Sequence, residues 1–126
     1  MANSKTDCCN HPHKAEKFLK ICLLTLLYGK KDHGYSLMEE LEEYGFDKEE
    51  INISTLYRNL RKMEKEGTLI SSWEKGKSGP KKRVYTITNE GKKNLEEFID
   101  FIKFRKSLMD NLINTYEIKK EEGKNN

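Results

Sequence analysis

The sequence predicts a mostly α-helical protein with a small β-ribbon, in which one compact domain is followed by a long C-terminal helix. Apolar residues recur at helical spacing in four segments, and two β-rich runs between residues 68 and 88 flank a glycine-containing tip. The length of 126 residues suits a single core. Because charged residues make up 36% of the chain and hydrophobic residues 35%, we expect a thin core beneath a solvated surface.

The same composition argues against several classes of protein. The longest stretch without a charged residue runs from Ile21 to Gly29, far short of the roughly 20 apolar residues that span a bilayer. The polar segment from Met1 to His13 lacks the apolar region of a secretion signal. Three cysteines cannot build the disulfide framework of a secreted mini-domain. We therefore expect a cytoplasmic protein without a membrane helix.

The first helix is predicted from Ala15 to a stop near Gly29. Its main apolar stripe follows i, i+3, i+4, i+7 spacing and consists of Ala15, Phe18, Leu19, Cys22, Leu23, Leu26 and Leu27. A second apolar row, formed by Ile21, Leu24 and Tyr28, lies on another side of the helix. This second row predicts that the helix contacts more than its own core.

Two shorter helices follow, and their ends are marked by capping residues. The second helix is predicted to begin at an Asp32 cap and to stop at Gly45, with Leu37, Met38, Leu41 and Tyr44 as its apolar residues. The third is predicted from an Asn52 cap to Gly67, with Leu56, Leu60 and Met63 as its buried stripe. At 100° per residue, the exposed face of the third helix then carries Ser54, Arg58, Arg61 and Lys65.

A ribbon and a long helix complete the predicted order. The ribbon strands run from Thr68 to Lys75 and from Arg83 to Thr88, and Thr88 caps the last helix. The apolar stripe of that helix is formed by Leu95, Phe98, Ile102, Met109, Leu112 and Tyr116, with Phe101 and Leu108 widening it. The order of helix, helix, helix, ribbon and helix is that of a winged helix-turn-helix with an added C-terminal helix. The predicted divisions are a flexible arm (1–14), a winged helix domain (15–88), a dimerisation helix (89–118) and a disordered tail (119–126).

Positive charge is concentrated in the middle of the chain, although the net charge is only +3. Residues 67–88 contain five basic residues and one acidic residue, whereas residues 33–50 contain one basic and seven acidic residues. A basic helix before a basic ribbon favours double-stranded DNA as the partner, because such elements supply donors to base edges and cations to phosphates. The candidate DNA-binding residues are Tyr35, Ser54, Thr55, Tyr57, Arg58, Arg61, Lys62, Lys65, Lys77, Lys81, Lys82 and Arg83. The alternatives are a solvated helix face with a flexible basic loop, or a winged helix used only for protein contacts.

Three motifs in order resemble the PadR-type transcriptional regulators. They are His33-Gly34-Tyr35-Ser36-Leu37, the segment from Asn52 to Gly67, and the segment from Gly79 to Gly91. The resemblance covers residues 15–116 and implies a winged-helix repressor that dimerises through its first and last helices and releases its operator when an effector acts. With its single C-terminal helix, the chain resembles the short subgroup of the family, which includes multidrug-responsive repressors. In contrast to multidrug-binding relatives, this helix has no tryptophan that could clamp a flat aromatic drug. The cysteine-containing arm is weakly similar to poly-β-hydroxybutyrate-responsive repressors.

Dimer formation is predicted from the two apolar rows, which one winged helix domain cannot cover. The predicted interface consists of Ile21, Leu24, Tyr28, Leu95, Phe98, Ile102, Met109, Leu112 and Tyr116. A two-fold axis would place two recognition helices in successive major grooves about 34 Å apart, so the operator is expected to be an inverted repeat. An unknown small-molecule effector is expected between the two chains near Phe98, Phe101 and the first helix.

The remaining polar and sulfur-containing residues receive simpler interpretations. His33 is predicted to cap a helix, Tyr35 is either a phosphate donor, as the resemblance implies, or a half-buried core residue, and Trp73 is predicted to pack in the wing. Cys22 is expected to be a small buried hydrophobe. No catalytic motif and no cofactor are predicted. The arm residues Cys8, Cys9, His11 and His13 leave a metal- or thiol-responsive regulator open as an alternative, although an unstructured arm is the more common outcome.

Overall fold

The computed structural model describes residues 12–46, 51–76 and 79–125. The described residues form four helices and three strands, which confirms the predicted fold class. In chain order they are α1 (Pro12–Leu26), β1 (Asp32–His33), α2 (Gly34–Glu43), α3 (Ile53–Lys65), β2 (Leu69–Lys75), β3 (Lys81–Ile87) and α4 (Asn89–Asn125). The chain divides into two compact units, the first ending at Leu95 and the second beginning at Glu96, so α4 contributes to both. Within the described residues, no helix is both long and apolar enough to cross a membrane.

The core of the first unit lies between α1, α2, α3 and the sheet. The predicted stripes of α1 and α3 supply most of it, because their leucines recur on one face of each helix. The side chains that are almost fully buried are Leu19, Leu23, Leu24, Leu27, Leu37, Leu41, Leu56, Leu60, Met63, Leu69 and Tyr85. Phe18 and Tyr44, which the periodicity placed on apolar stripes, are instead more than half exposed. Leu24, which was predicted to belong to the dimer interface, is completely buried within the chain.

The N-caps of α2 and α3 show which side chains mark the start of each helix. Asn52 Oδ1 accepts a hydrogen bond from the Thr55 amide at 2.9 Å, as predicted for an N-cap. The N-cap of α2 is His33, whose ring accepts from the Ser36 amide, and not Asp32. The Asp32 carboxylate instead accepts from the Ser36 hydroxyl at 2.9 Å and from the His33 amide at 2.8 Å. The predicted capping role of His33 is therefore confirmed, and that of Asp32 is corrected.

The sheet has three antiparallel strands in the order β1-β3-β2, whereas the sequence predicted a two-stranded ribbon. The additional strand, β1, pairs with the centre of β3. Strands β2 and β3 pair in register from Leu69 opposite Ile87 to Lys75 opposite Lys81. A strand of two residues has no hydrophobic alternation, so sequence periodicity could not reveal it.

The start of α4 is fixed by hydrogen bonds to Gly67 and Thr68, the two residues before β2. Thr88 Oγ1 accepts from the Gly91 amide at 3.0 Å, which confirms the predicted cap, and donates to the Gly67 carbonyl at 2.6 Å. A side chain at Gly91 would overlap the carbonyl oxygen of Thr68. Helix α4 therefore depends on a glycine in its first turn in order to approach the sheet closely.

Helix α4 is longer than predicted. It spans 37 residues, Asn89–Asn125, and includes most of the polar segment 119–126 that was expected to be a disordered tail. That segment is rich in lysine and glutamate, which have good helix propensity, so its polarity did not indicate disorder.

Candidate nucleic-acid interface

Helix α3 presents a polar and basic face on the side opposite its buried stripe. The core side chains of α3 are Leu56, Leu60 and Met63, as the periodicity predicted. The exposed side chains are Ser54, Arg58, Arg61, Lys62 and Lys65, of which Lys62 lies 3.7 Å from the exposed Glu16 carboxylate. Four cations are thus displayed along one helix of 13 residues.

Two other polar residues of α3 are partly or fully buried. Thr55 is half-buried. Asn59 is buried, and its side-chain amide donates to the Thr55 carbonyl at 2.9 Å, so it does not lie on the exposed face. The cause is a local hydrogen bond that an amide side chain can make within its own helix.

Two tyrosines connect α2 with α3. Tyr57 is half-buried against Gly34, where a Cβ atom would lie 2.5 Å from the phenol ring. Burial raises the pKa of the Tyr57 phenol, and the neighbouring Tyr35 adds to this rise. The Tyr35 ring is 63% exposed and makes an edge contact with the Tyr57 ring at 6.5 Å between centroids. This exposure excludes the core-residue interpretation of Tyr35 and leaves its hydroxyl accessible.

Arg83 differs from the other candidate basic residues because it is bound within the chain. Its Nε donates to the Ser71 hydroxyl at 2.9 Å, and its guanidinium lies 3.3 Å from a Glu64 carboxylate oxygen. The same guanidinium lies 5.7 Å from the centroid of the Trp73 ring. Arg83 therefore joins α3 to β2 and β3, and its role as a direct DNA contact stays a prediction.

The other basic residues of the wing are exposed at the end of the ribbon where β2 is joined to β3. Lys81 and Lys82 begin β3, and the register places Lys81 directly opposite Lys75 on β2. Like charges in directly opposed positions destabilise an isolated ribbon, so a negatively charged partner would relieve them. Lys77 lies outside the described residues.

A groove separates the N-terminal part of α2 and α3 from the wing. Its volume is about 430 Å³. The lining residues are His33, Tyr35, Tyr57, Arg61, Trp73, Pro80, Lys81, Lys82, Arg83 and Tyr85. Six of the predicted DNA-binding residues thus line one groove. The sequence did not predict this groove. Trp73 is 63% exposed at this groove, and its predicted packing in the wing consists of the contact between its ring and the Arg83 guanidinium.

The second unit displays an apolar surface that none of its own residues covers. Its large exposed side chains are Phe101, Phe104, Leu108, Met109, Leu112, Ile113, Tyr116 and Ile118. Phe104, Ile113 and Ile118 were not among the predicted apolar residues of this helix, because the predicted stripe was narrower than the exposed apolar surface. Phe98 and Ile102 are half-buried, as is Ile21 in α1, whereas Tyr28 is exposed. Leu95 is buried within the chain, so its assignment to a dimer interface is corrected together with that of Leu24.

The metal- or thiol-responsive alternative depends on cysteines and histidines of the N-terminal arm. The residues that the structure describes contain no group of three potential metal ligands. Cys8, Cys9, His11 and the side chain of His13 lie outside the described residues, so the sensor alternative stays a hypothesis. Cys22 is buried, and desolvation raises the pKa of its thiol to about 11, as expected for a small hydrophobic core residue.

Comparisons with known proteins agree with this geometry. The model of the transcriptional regulator PadR-like family matches residues 23–97. A PadR family transcription regulator from Clostridium difficile is 26% identical, with a TM-score of 0.68 over 76% of this chain and 98% of that chain. A PadR-like transcriptional regulator from Bacillus cereus is 28% identical, with a TM-score of 0.68 over 75% and 90% of the two chains. Bacillus subtilis PadR in complex with operator DNA is 25% identical, with a TM-score of 0.57 over 64% of this chain and 46% of that chain. No curated protein matches significantly.

Proposed function

The chain belongs to the PadR-like family of transcriptional regulators, and from this premise we propose that it is a repressor that binds operator DNA as a homodimer. The observation that carries this proposal is the exposed cationic face of α3 beside the basic end of the wing. Recognition helices and wings of this kind bind the major groove and the adjacent backbone. The structural match to a regulator in complex with operator DNA supports the same assignment.

Within this proposal, the exposed residues divide into two roles. Arg61 projects from α3 and can donate two hydrogen bonds to a guanine edge, so we assign it to base recognition. Arg58, Lys62, Lys65, Lys81 and Lys82 are assigned to phosphate contacts, which supply affinity without sequence preference. Ser54 and the hydroxyl of Tyr35 are assigned to hydrogen bonds with the DNA backbone.

The homodimer is proposed because of the apolar surface of α4. At 100° per residue, the exposed side chains from Phe101 to Tyr116 lie within roughly half of the helix circumference. A patch of this kind marks an interaction surface, and a second copy of the chain offers the same surface in return. We therefore propose an inverted-repeat operator whose half-sites are about 34 Å apart.

We further propose that a small-molecule effector controls DNA binding. An effector bound between the two chains near Phe98 and Phe101 would change the relation of the two recognition helices and so lower operator affinity. The test is an operator titration with and without compounds that protect the protein from thermal unfolding. If every such compound leaves operator affinity unchanged, the effector part fails while DNA binding stands.

Fluorescence anisotropy with a labelled fragment of the promoter of the chain's own gene tests DNA binding directly. Affinity should fall steeply with salt, by roughly 0.9 log unit per neutralised phosphate for each log unit of salt. A shuffled fragment is the control for sequence preference. Absence of binding at low salt would contradict the proposal and favour a winged helix used only for protein contacts.

A pair of variants tests the two roles in the same assay. Arg61→Ala is expected to cost about 1–3 kcal/mol and to relax preference at one base position, whereas Lys82→Ala should weaken binding to all sequences and reduce the salt slope by about one. Lys93→Ala, an exposed change in α4, is the matched control. Unchanged affinity in both test variants would show that the docking face has been assigned wrongly.

A further inference from the structure

Gly34 and Tyr57 are packed against each other where α2 meets α3. Gly34 is the buried first residue of α2, and Tyr57 lies in the N-terminal half of α3. A Cβ atom on Gly34 would lie 2.5 Å from both Cζ and the hydroxyl oxygen of Tyr57. Ordinary contacts of a Cβ atom begin at 3.4 Å, so a methyl group at position 34 and the ring cannot both keep these places.

The need for space, and not the backbone conformation, explains the glycine at position 34. The φ angle of Gly34 is not positive, in contrast to those of Gly29, Gly45, Gly67 and Gly79. An alanine can therefore adopt the same backbone conformation, and alanine has the higher helix propensity. The three atoms nearest to a Cβ at this position all belong to the Tyr57 side chain. The ring of Tyr57 is thus the feature that requires a glycine here.

The position of Gly34 is itself fixed by the sheet. Gly34 directly follows β1, in which Asp32 pairs with Tyr85 and His33 pairs with Val84 of β3. The short strand β1 therefore ties the start of α2 to the centre of the sheet. Because the Tyr57 ring lies against this fixed corner, the ring acts as a spacer between the corner and α3.

The Tyr57 ring is also confined on another side. It is half-buried, and its edge contact with the Tyr35 ring has a distance of 6.5 Å between centroids. A ring displaced from Gly34 has two directions left: it enters the groove beside Tyr35, or it carries α3 away from α2. Either movement changes how α3 meets a surface that docks on it.

Base recognition is the function most sensitive to such a movement. Arg61 follows Tyr57 by one helical turn, and at 100° per residue the two side chains lie about 40° apart on α3. A bidentate contact to a base edge must be held within about 0.5 Å. The Tyr57 ring would have to retreat by about 1 Å to make room for a methyl group. Lysine contacts to phosphates tolerate more, because an ammonium on a flexible stem acts as a point charge.

We propose that Tyr57 is a positioning residue for sequence recognition. Its ring, seated on Gly34, sets the distance between α3 and the corner formed by β1 and α2, and thereby the place of Arg61 against the bases. This inference rests on the proposed DNA-binding function and on the assignment of Arg61 to base recognition. It gives Tyr57 a role through its ring, whereas a direct DNA contact would use its hydroxyl group.

The first test is Gly34→Ala in the full-length protein, with anisotropy measured on the promoter fragment and on the shuffled fragment. Affinity for the promoter fragment should fall about tenfold or more, which corresponds to the loss of one bidentate base contact. Affinity for the shuffled fragment should stay the same. Gly123→Ala, where a Cβ meets no atom within 4 Å, is the matched control.

The ratio of the two affinities separates positioning from a loss of folded protein. A smaller folded fraction would lower binding to both fragments equally and leave the ratio unchanged. An unchanged ratio in Gly34→Ala would therefore overturn the proposal, whether the affinities fall together or stay as they are.

The second test is a rescue by a smaller side chain. Gly34→Ala/Tyr57→Leu should bind the promoter fragment more tightly than Gly34→Ala alone, because the shorter side chain leaves room for the methyl group. Tyr44→Leu, a change at an exposed tyrosine after α2, should give no rescue. Absence of rescue by Tyr57→Leu, or equal rescue by Tyr44→Leu, would contradict a spacer at position 57.

The conservative variant Tyr57→Phe distinguishes the ring from the hydroxyl group. It retains the ring on Gly34, so the preference for the promoter fragment should be retained. A loss of affinity in Tyr57→Phe with the salt slope reduced would assign the hydroxyl to a DNA contact and overturn the positioning role.

Failure of this inference and failure of the proposed function give different results. If the unchanged protein does not bind the promoter fragment at low salt, the proposed function fails and the inference fails with it. If the unchanged protein prefers the promoter fragment and Gly34→Ala prefers it by the same factor, only the positioning role fails.

Discussion

The two compact units of the chain treat their apolar residues in opposite ways. Up to Leu95, most leucines of the first three helices and the central residues of the sheet are buried. From Glu96 onwards, eight large apolar or aromatic side chains of α4 are about half exposed or more, and Leu112 reaches 71%. The same residue types therefore form an internal core in one unit and an exposed surface in the other. The periodicity of apolar residues predicts which face of a helix is apolar, but only the three-dimensional structure shows whether that face is buried.

The largest effect is expected where the second unit is made polar. Met109→Asp/Leu112→Asp should convert the proposed dimer into monomers, because four carboxylates per dimer would have to be buried without partners. Operator affinity should then fall by about a hundredfold or more, since a dimer binds two half-sites at once. Sedimentation velocity and anisotropy measure the two effects. Asn114→Asp, on another side of the same helix, is the control. A double variant that stays dimeric would place the interface elsewhere.

The first unit is tested by removing buried volume from it. Leu60→Ala should lower the free energy of unfolding by about 2–5 kcal/mol, because the leucine is fully buried and its loss leaves a cavity. Leu112→Ala is the matched change in the second unit, where the side chain is exposed in the single chain. Its effect on urea unfolding should depend on protein concentration. If both variants lowered the free energy of unfolding equally and independently of protein concentration, the two units would not differ in how they use their leucines.

Two glycines of α4 allow the same comparison within one helix. Gly91→Ala should destabilise the fold by about 1–3 kcal/mol, because the new methyl group would overlap the Thr68 carbonyl and the Ile87 side chain. Gly123→Ala, which meets no atom within 4 Å, should be neutral or stabilising by up to about 1 kcal/mol through helix propensity. Thermal unfolding of both variants checks this. A stabilising Gly91→Ala would show that the junction has room.

A smaller effect is expected at the link between α3 and the wing. Arg83→Lys retains the charge but cannot bond Ser71 and Glu64 together while lying over Trp73. We expect a shift in Trp73 fluorescence and a fewfold loss of operator affinity with the salt slope unchanged. Lys82→Arg is the control. A reduced salt slope in Arg83→Lys would instead indicate that Arg83 contacts a phosphate.

The smallest effect at neutral pH concerns Cys22. Its folded-state pKa of about 11 lies above that of an unfolded thiol, so the stability gained from burying the neutral thiol is complete below the unfolded pKa and is lost as pH rises through 11. In a Cys8→Ser/Cys9→Ser background, iodoacetamide should modify Cys22 about a hundredfold more slowly in native than in denatured protein at pH 8. Mass spectrometry measures the rates. Equal rates would show that the thiol is accessible.

Features that depend on residues close together in the sequence were predictable. Features that depend on pairing between distant segments were not. Asn52 and Thr88 were identified as caps because a cap bonds residues only three positions away. Strand β1 was missed because its existence depends on β3, about 50 residues later. Leu24 was misassigned because α1 is covered on more than one side, which a single helix pattern does not reveal.

The candidate site was predictable in position but not in the roles of individual residues. Lys82 and Arg83 are adjacent basic residues, and composition treats them alike. Alternation along β3 sends them to different surroundings, so that Lys82 is exposed and Arg83 is bound to Glu64. The groove was not predictable, because its walls come from β1, α2, α3 and both ribbon strands.

The opposed lysines of the wing have an electrostatic consequence for partner choice. Lys75 and Lys81 are held face to face by the strand register, so each raises the energy of the other wherever counterions are scarce. Their repulsion is relieved by a polyanion and is increased by a cationic or uncharged surface that excludes water and salt. The wing therefore discriminates against unsuitable surfaces even before it makes a favourable contact.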